Sequence, residues 1–297
     1  MPDPGKQQAQ ELLAAGLALS EAGREDEAID KYKEAIAIDP TRSSIYYNIG
    51  LIYKYRNAWV DSFAWNSKAY ELDRESEAAR WNLAIAATAL RNWAVARQAW
   101  ADNLISLRDA GHGPIDDNFG KTPVRLHPDA EAEVVWANRI DPVRASIVSI
   151  PFPESGFRYG DVVLHDGAGV GTRTSDGKEY SVFNVLELFE PSVLSTFRLD
   201  FEAASPDVAD VLCQAFDDAG ITVEDWTANV VTLCKQCSEG TPHEHTEASR
   251  EDAGWKPERM MGIAAASFED IEAVLDAWTG PSLGEAELSC ELDGVPG

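Results

Sequence analysis

The residues with the clearest chemical potential lie in one short stretch near the C-terminal end of the chain. Cys234 and Cys237 form a CxxC pair, and His243 and His245 follow after a turn-forming segment. Two thiolates at this spacing converge on one point, and thiolate and imidazole ligands together suit Zn²⁺ in tetrahedral geometry. The spacing therefore predicts a structural zinc site made of these four side chains.

Two other interpretations of this stretch remain open. The cysteines and histidines could be solvated groups on a surface loop, or the CxxC pair could be redox-active, although no helix start follows Cys234 to favour its thiolate. A site with only three protein ligands would hold water in the fourth position. Glu244 or Glu247 could then serve as the base in a hydrolytic reaction.

The chain is strongly acidic, which restricts the classes of partner. Its 297 residues include 25 Lys and Arg against 51 Asp and Glu, a formal charge of −26. Nucleic acids and anionic membranes attract the opposite charge, so neither is expected as a partner. Residues 107–297 hold 13 basic and 36 acidic residues, whereas residues 43–106 hold 7 and 6. We therefore expect the acidic surface to belong to the C-terminal part.

The cysteine content and the apolar segments bear on the cellular compartment. Four cysteines in a chain of this size do not form a disulfide framework. No run of 18 apolar residues occurs, and the residues after Met1 are polar, unlike those of a signal peptide. A protein of the reducing cytoplasm is the expectation.

The N-terminal third consists of three degenerate 34-residue units, at residues 9–42, 43–76 and 77–110. Two series of positions step through them, small residues at Gly16, Gly50 and Ala84 and ring or amide residues at Tyr32, Asn66 and Trp100. A period in this range is typical of a helical solenoid. Each unit is predicted to be a helix pair, with breaks near Gly23, Asn57 and Asn92.

These units resemble the tetratricopeptide repeat (TPR) family. The residues that carry the resemblance are Gly16, Leu19, Ala28, Tyr32, Ala35 and Pro40, then Tyr46, Gly50, Tyr53 and Ala69, then Leu83, Ala84, Ala96 and Trp100. The resemblance implies an all-α solenoid of three helix pairs over residues 1–110. It also implies a concave groove, lined by the first helix of each pair, that holds a peptide, a helix or the protein's own C-terminal half.

Family geometry also implies which side chains line that groove. They are mostly apolar or aromatic: Leu13, Leu17, Ser20, Tyr47, Leu51, Lys54, Trp81, Ile85 and Thr88. We expect Trp81 to be the main anchor, because tryptophan is enriched among interface hot spots. Some family members hold a C-terminal carboxylate with Lys, Arg and Asn. Asn48 and Asn82 match such asparagines, but the basic partners are missing, so a carboxylate clamp is not expected.

The rest of the chain changes character after residue 110. Glycines and prolines predict a linker at 111–130, and short β-branched and aromatic runs predict a small barrel-like sheet at 131–194. The glycine-rich stretch at 167–171 is predicted to be a hairpin turn, and His165 a surface residue. Residues 195–280 follow the order β, α, β, β, α, which fits a ferredoxin-like unit carrying the zinc knuckle. A tail without periodicity occupies 281–297.

The sequence thus predicts a multidomain protein, an all-α TPR solenoid followed by an α+β region. The first functional hypothesis is an adaptor or scaffold whose groove binds another protein or peptide, with a zinc-stabilised acidic C-terminal region. The alternative is a metal-dependent enzyme or metal-delivery protein that uses Cys234, Cys237, His243 and His245. An inhibitor that covers a basic partner is a third possibility, supported by charge alone.

Overall fold

Two units of different secondary structure make up the chain. A computed structural model describes residues 4–108, 111–130, 133–227 and 255–296. The chain divides into Met1–Asp117 and Asn118–Gly297. The described elements of the first unit are all helices, whereas the second contains two β-sheets. The predicted order, a helical region followed by a strand-rich region, is confirmed.

The helices of the first unit follow one another as three pairs. They are α1 (Pro4–Glu21) with α2 (Glu25–Ile38), α3 (Ser43–Tyr55) with α4 (Trp59–Leu72), and α5 (Glu77–Ala89) with α6 (Trp93–Asp102). The second and third pairs lie within the predicted units 43–76 and 77–110, whereas the first pair begins at Pro4, before the predicted start of its unit at residue 9. No helix in the described residues is long and apolar enough to cross a bilayer.

The same turn joins the two helices of every pair. Gly23, Asn57 and Arg91 adopt positive φ angles of 73°, 53° and 56°. The next backbone N–H in each turn donates back over five residues, from Arg24 to Leu19 (2.9 Å), Ala58 to Tyr53 (2.9 Å) and Asn92 to Ala87 (2.8 Å). These bonds satisfy carbonyls at the end of the first helix, as in the Schellman motif. The third left-handed residue is Arg91, one position before the predicted break.

The recurring small residues lie where the two helices of a pair approach most closely. A Cβ atom on Gly16 would lie 2.4 Å from the ring of Tyr32, and one on Gly50 would lie 2.5 Å from the amide nitrogen of Asn66. In the second pair the amide of Asn66 donates to the carbonyl of Ser62 at 2.9 Å. A buried asparagine therefore replaces an aromatic ring at that crossing, with the hydrogen bond offsetting part of its desolvation.

The second unit begins with a closed five-stranded barrel. Its strands are β1 (Gly120–Leu126), β2 (Glu133–Arg139), β3 (Arg144–Ile147), β4 (Val162–Ser175) and β5 (Lys178–Glu190), in that order around the barrel. Consecutive strands pair antiparallel, and β1 closes the barrel by pairing parallel with β5 at Val124 and Phe183. A single 3₁₀ turn, Pro153–Ser155, lies between β3 and β4. Small and branched side chains such as Val124, Val135, Ala145 and Val163 fill the interior.

Strand β1 lies inside the range that the sequence predicted to be a linker. Gly120 and Pro123 punctuate this segment, and such residues favour turns. Proline has no backbone N–H and is tolerated in a strand where no ladder hydrogen bond requires one. The parallel register of β1 with β5 contains only Val124 and Arg125, so Pro123 lies outside it. The segment is a strand because it pairs with β2 and β5, and the local sequence pattern does not indicate this pairing.

The glycine-rich stretch at 167–171 is part of β4, so the predicted hairpin turn there is wrong. The pairing of β4 with β5 changes register around Gly169 and Gly171, which marks bulges. The turn itself lies at Asp176 and Gly177, both with positive φ. Glycine in this strand allows the local bends rather than reversing the chain.

His165 is buried within β4, in contrast to its predicted surface position. Its ring stacks on that of Phe183 with 4.9 Å between centroids. Burial, with a smaller effect of the nearby positive charge of Arg139, lowers the pKa of His165 to about 3. The imidazole is therefore neutral at physiological pH and contributes to packing.

The second sheet contains four antiparallel strands in the order β7-β8-β6-β9. The strands are β6 (Ser195–Glu202), β7 (Thr222–Asp225), β8 (Glu258–Ala265) and β9 (Glu287–Leu292). Helix α7 (Pro206–Asp218) follows β6, and α8 (Phe268–Asp276) follows β8. Strand β9 lies in the predicted tail. Its alternation is weak, and its pairing with β6 makes it a strand.

Alternate side chains of β6 build the core under the two helices. Phe197, Leu199 and Phe201 are buried in one cluster with Leu212 of α7 and Ile271 of α8. Successive side chains of a strand point to opposite faces, so these three lie on the helical side of the sheet. The apolar faces of the two amphipathic helices therefore pack against this face of the sheet.

Trp226 joins the second sheet to the segment that follows β3. Its indole N–H donates to the carbonyl of Ile150 at 2.9 Å, and its ring lies across Gly262 of β8. A Cβ atom on Gly262 would stand 2.3 Å from that ring. The absence of a side chain at Gly262 thus permits the contact between barrel and sheet within this unit.

Two half-buried glutamates support the same junction. The carboxylate of Glu133 accepts the N–H of Phe152 at 3.2 Å, and that of Glu224 accepts the N–H of Ile150 at 2.9 Å. Burial raises the pKa of Glu133 to about 7, and the negative charge of Glu224 contributes further, against the Phe152 hydrogen bond. Burial also raises the pKa of Glu224. Charging Glu133 therefore opposes folding.

We predict that Glu133→Gln reduces the pH dependence of unfolding. A carboxyl whose folded pKa of about 7 exceeds its ordinary 4.5 stabilises the fold below pH 4.5 and loses that contribution as pH rises toward 7. Relative to the variant, the wild type should lose about 1–3 kcal/mol of unfolding free energy over this window. Urea denaturation at several pH values measures the difference.

Glu179→Gln, on the exposed part of β5, controls for the removal of one negative charge. Parallel pH profiles for the wild type and Glu133→Gln would contradict the prediction.

Candidate functional site

The side chains that the sequence placed in a groove lie on α1, α3 and α5, the first helix of each pair. Five of them expose part of their surface, Ser20 and four apolar or aromatic residues, and we call these four the candidate face: Leu17, Tyr47, Leu51 and Trp81. Leu17 is the most open, with 43% of its surface accessible. Apolar side chains that remain accessible on consecutive helices can bury a ligand's apolar groups.

The other predicted positions are more enclosed. Leu13 belongs to the core between the first and second pairs, together with Tyr32 and Ile49. Ile85 and Thr88 are fully buried, and the hydroxyl of Thr88 donates to the carbonyl of Ala84 at 2.8 Å. In the free protein these residues support α1 and α5 and present no contact surface.

Trp81 is held in place by a second tryptophan. Its ring meets that of Trp100 edge to face, with centroids 5.0 Å apart and an angle of 77° between planes. Trp100 is fully buried, whereas Trp81 is half-buried. Edge-to-face contact favours one orientation of the outer ring. A side chain that is already ordered loses little rotamer entropy when a ligand packs on it.

Lys54 and Asn82 form a polar contact between the second and third pairs. The ammonium of Lys54 lies 3.4 Å from the side-chain oxygen of Asn82 and 4.5 Å from the centroid of the Tyr55 ring. Lys54 is only 3% exposed. Within the described residues, the amide nitrogen of Asn82 is buried without an acceptor. Sequence reasoning noted both residues but not their proximity, which depends on the stacking of α3 against α5.

An ion-pair cluster links the outer ends of the first two pairs. Arg56 contacts Glu25 at 2.7 Å and Asp26 at 2.8 Å. Hydrogen bonding to Asp26 and then to Glu25 raises the pKa of Arg56. Both acids lie at the start of α2, where negative charge also favours the helix dipole. These side chains are exposed or partly exposed, and exposed ion pairs contribute little free energy. We therefore infer that the cluster helps to align the first helix pair with the second and does not bind a ligand.

The predicted zinc ligands Cys234, Cys237, His243 and His245 lie outside the described residues. Within the described ranges, no group of three or more His, Cys, Asp or Glu residues could hold a metal ion. Cys213 packs against the core of the second sheet, where burial raises the pKa of its thiol to about 11. Cys213 is therefore a protonated packing residue and a poor metal ligand.

Comparison with known proteins identifies the helical part. Residues 16–55 match the family model described as TPR repeat. This match confirms the predicted resemblance for the N-terminal region. No curated protein matches the chain.

Three solved structures each match about a third of this chain. The second TPR of Spaghetti (RPAP3), bound to the HSP90 peptide SRMEEVD, is 24% identical with a TM-score of 0.32, covering 34% of this chain and 89% of its own. The N-terminal domain of stress-induced protein-1 from C. elegans is 21% identical with a TM-score of 0.33, covering 36% and 91%. The Arabidopsis OM64 TPR domain is 15% identical with a TM-score of 0.32, covering 36% and 88%.

We predict that Gly50→Ala destabilises the helical unit. The added methyl group would lie 2.5 Å from the Asn66 amide nitrogen, so α3 and α4 would have to move apart. This separation would weaken the hydrogen bond that the Ser62 hydroxyl donates to the Gly50 carbonyl. Overpacking of this kind costs about 1–3 kcal/mol. Thermal unfolding followed by circular dichroism measures the loss.

Ser44→Ala is the matched control, since Ser44 is exposed on the same helix. Equal melting temperatures for Gly50→Ala and Ser44→Ala would show that the close crossing is not required.

Proposed function

We propose that this protein is an interaction adaptor whose helical repeats bind a peptide or helix of another protein on the candidate face. The observation that carries the proposal is the row of accessible apolar side chains on consecutive first helices, Leu17, Tyr47 and Leu51, ending at the ordered ring of Trp81. The TPR match at residues 16–55 supports the proposal, because such helical repeats form extended binding surfaces.

The polar contact beside this face suggests how a ligand backbone would be oriented. The buried amide of Asn82 can donate to a carbonyl or carboxylate oxygen, and Lys54 supplies a positive charge 3.4 Å away. An acceptor oxygen of the ligand would then satisfy a donor that lacks a partner among the described residues. Affinity would come mainly from apolar burial, and the polar pair would set orientation.

For the C-terminal region we propose a ferredoxin-like unit stabilised by zinc. The order β7-β8-β6-β9 with helices after β6 and β8 supports the fold assignment. The zinc ligands proposed are Cys234, Cys237, His243 and His245, on the basis of their spacing. The segment that contains them lies between β7 and β8, so a metal there would close a long connection in the sheet.

The proposed setting is the cytoplasm, with neither nucleic acid nor membrane as partner. Cys213 and Cys290 are free thiols, as expected in a reducing compartment. The net charge of −26 disfavours polyanions of either kind.

We predict that Trp81→Ala and Leu51→Ala each weaken peptide binding by about tenfold or more, because each removes a large part of the apolar contact area of the face. The probes are short peptides selected by display against the full-length wild-type protein. Fluorescence anisotropy with labelled peptides measures the affinity, and circular dichroism confirms that the variants are folded.

Val60→Ala on the outer helix α4 is the control, since Val60 is exposed on an element that carries no residue of the candidate face. Unchanged affinity in both Trp81→Ala and Leu51→Ala would exclude the candidate face as the binding surface.

We predict that one zinc ion binds per chain and that its removal unfolds the C-terminal region. Unfolding follows because a structural metal contributes its binding free energy to folding. Metal analysis and thermal unfolding, with and without a chelator, test this. Cys234→Ser with Cys237→Ser should lower the metal content, whereas Cys290→Ser, at an exposed thiol, should not. Rapid metal exchange with no loss of stability would instead favour catalysis or metal delivery.

A further inference from the structure

A groove runs between α7 and α8 on the outer side of the second sheet. Its volume is about 720 Å³, and both helices contribute to its walls. The groove is distinct from the candidate face of the helical repeats, since it belongs to the other unit of the chain. All of its lining residues are described.

The floor of the groove is apolar. Val211 and Ala215 of α7, Val274 of α8 and the following Trp278 all line it. Val211 leaves 53% of its surface accessible, although it lies on an ordered amphipathic helix whose opposite side is buried. An accessible branched side chain beside a groove offers apolar area for a ligand.

Two contacts hold the indole of Trp278, which lines the groove, in one orientation. The indole N–H donates to the carbonyl of Pro281 at 2.9 Å, and the ring lies directly against Gly280. A Cβ atom on Gly280 would stand 2.2 Å from the ring, so this position accommodates the tryptophan only as glycine. The indole is therefore preorganised at the mouth of the groove.

The charged residues that line the groove or lie elsewhere on its two helices are all acidic. Helices α7 and α8 together carry eight carboxylates and no Lys or Arg: Asp207, Asp210, Asp217 and Asp218, then Glu269, Asp270, Glu272 and Asp276. Asp218 and Asp270 line the groove itself. Asp141, Asp200 and Asp225, which lie elsewhere in this unit, each form an ion pair with an arginine.

We propose that this groove binds a basic amphipathic helix of another protein. Its apolar side chains would pack on Val211, Ala215 and Val274, and its Lys or Arg side chains would meet the carboxylates on both rims. Helix α7 has 13 residues, so it spans about 20 Å and matches an occupant of about three to four turns. A second copy of this chain is disfavoured as occupant, because its net charge of −26 repels the rim.

Synthetic peptides test this with the full-length protein. The first probe is a helix-forming peptide of about 14 residues with Leu at i, i+3, i+4 and i+7 and Lys elsewhere on its polar face. The second replaces each Lys by Glu, and the third scrambles the first so that its amphipathic pattern is lost. Fluorescence anisotropy should detect binding of the first probe alone, and its affinity should fall as salt is raised.

Two sets of variants locate the site. Val211→Arg should weaken binding of the basic probe by about tenfold, since it removes apolar area and adds a like charge. Val193→Arg is the matched control, because Val193 is 61% exposed and lies away from the groove, between β5 and β6. Asp218→Asn with Asp270→Asn conserves shape and should lower both the affinity and its salt dependence.

Equal binding of the acidic or scrambled probe would overturn the proposal, as would unchanged affinity in Val211→Arg. Self-association of the protein that Val211→Arg abolishes, without binding of the basic probe, would also overturn it, because the occupant would then be a second copy. Circular dichroism of each variant tests whether it is folded, so that a loss of binding can be assigned to the groove.

Discussion

Close contact between the two helices of each repeat is the constraint on which the helical unit depends. A helix pair has apolar surface on more than one side and cannot bury it alone, so each pair must stack on its neighbour. Helix α3, which carries Tyr47 and Leu51, can approach α4 this closely only because position 50 is glycine. There the distance from a hypothetical Cβ to the Asn66 amide is 2.5 Å. The accessible side chains of the candidate face are thus a consequence of small residues buried behind them.

The second unit also depends on a close contact at a glycine, but there hydrogen bonds to backbone groups support the contact. Trp226 crosses Gly262 and donates to Ile150, and Glu133 and Glu224 bind neighbouring backbone N–H groups from the same direction. One indole and two carboxylates therefore fasten the segment after β3 to the sheet. Because desolvation of Glu133 opposes its ionisation, the junction combines specific hydrogen bonding with a sensitivity to pH.

The two proposed binding surfaces differ in the balance of forces. The candidate face lies in a nearly neutral part of the chain and contains an aromatic anchor and one polar contact, so apolar burial would dominate. The groove between α7 and α8 is flanked by eight carboxylates, so long-range attraction would accelerate association and make it salt-dependent. The two proposed surfaces would therefore select ligands of different chemistry.

The sequence by itself determined the helical unit, because the contacts within each helix pair are short in sequence and their positions recur every 34 residues. Gly16 with Tyr32 and Gly50 with Asn66 are each 16 residues apart, and the left-handed turn recurs at Gly23 and Asn57. Composition also determined the acidic character of the C-terminal part. The zinc-ligand prediction, from residues 234–245, rests on sequence spacing alone.

Tertiary structure decided the features that depend on partners distant in sequence. Strand β1 requires β5, about 60 residues away, and β9 requires β6, so neither has a local signal. The proximity of Lys54 and Asn82, the burial of His165 and the groove between α7 and α8 likewise arise from packing. Periodicity records which face of an element is buried, but it does not record which element covers that face.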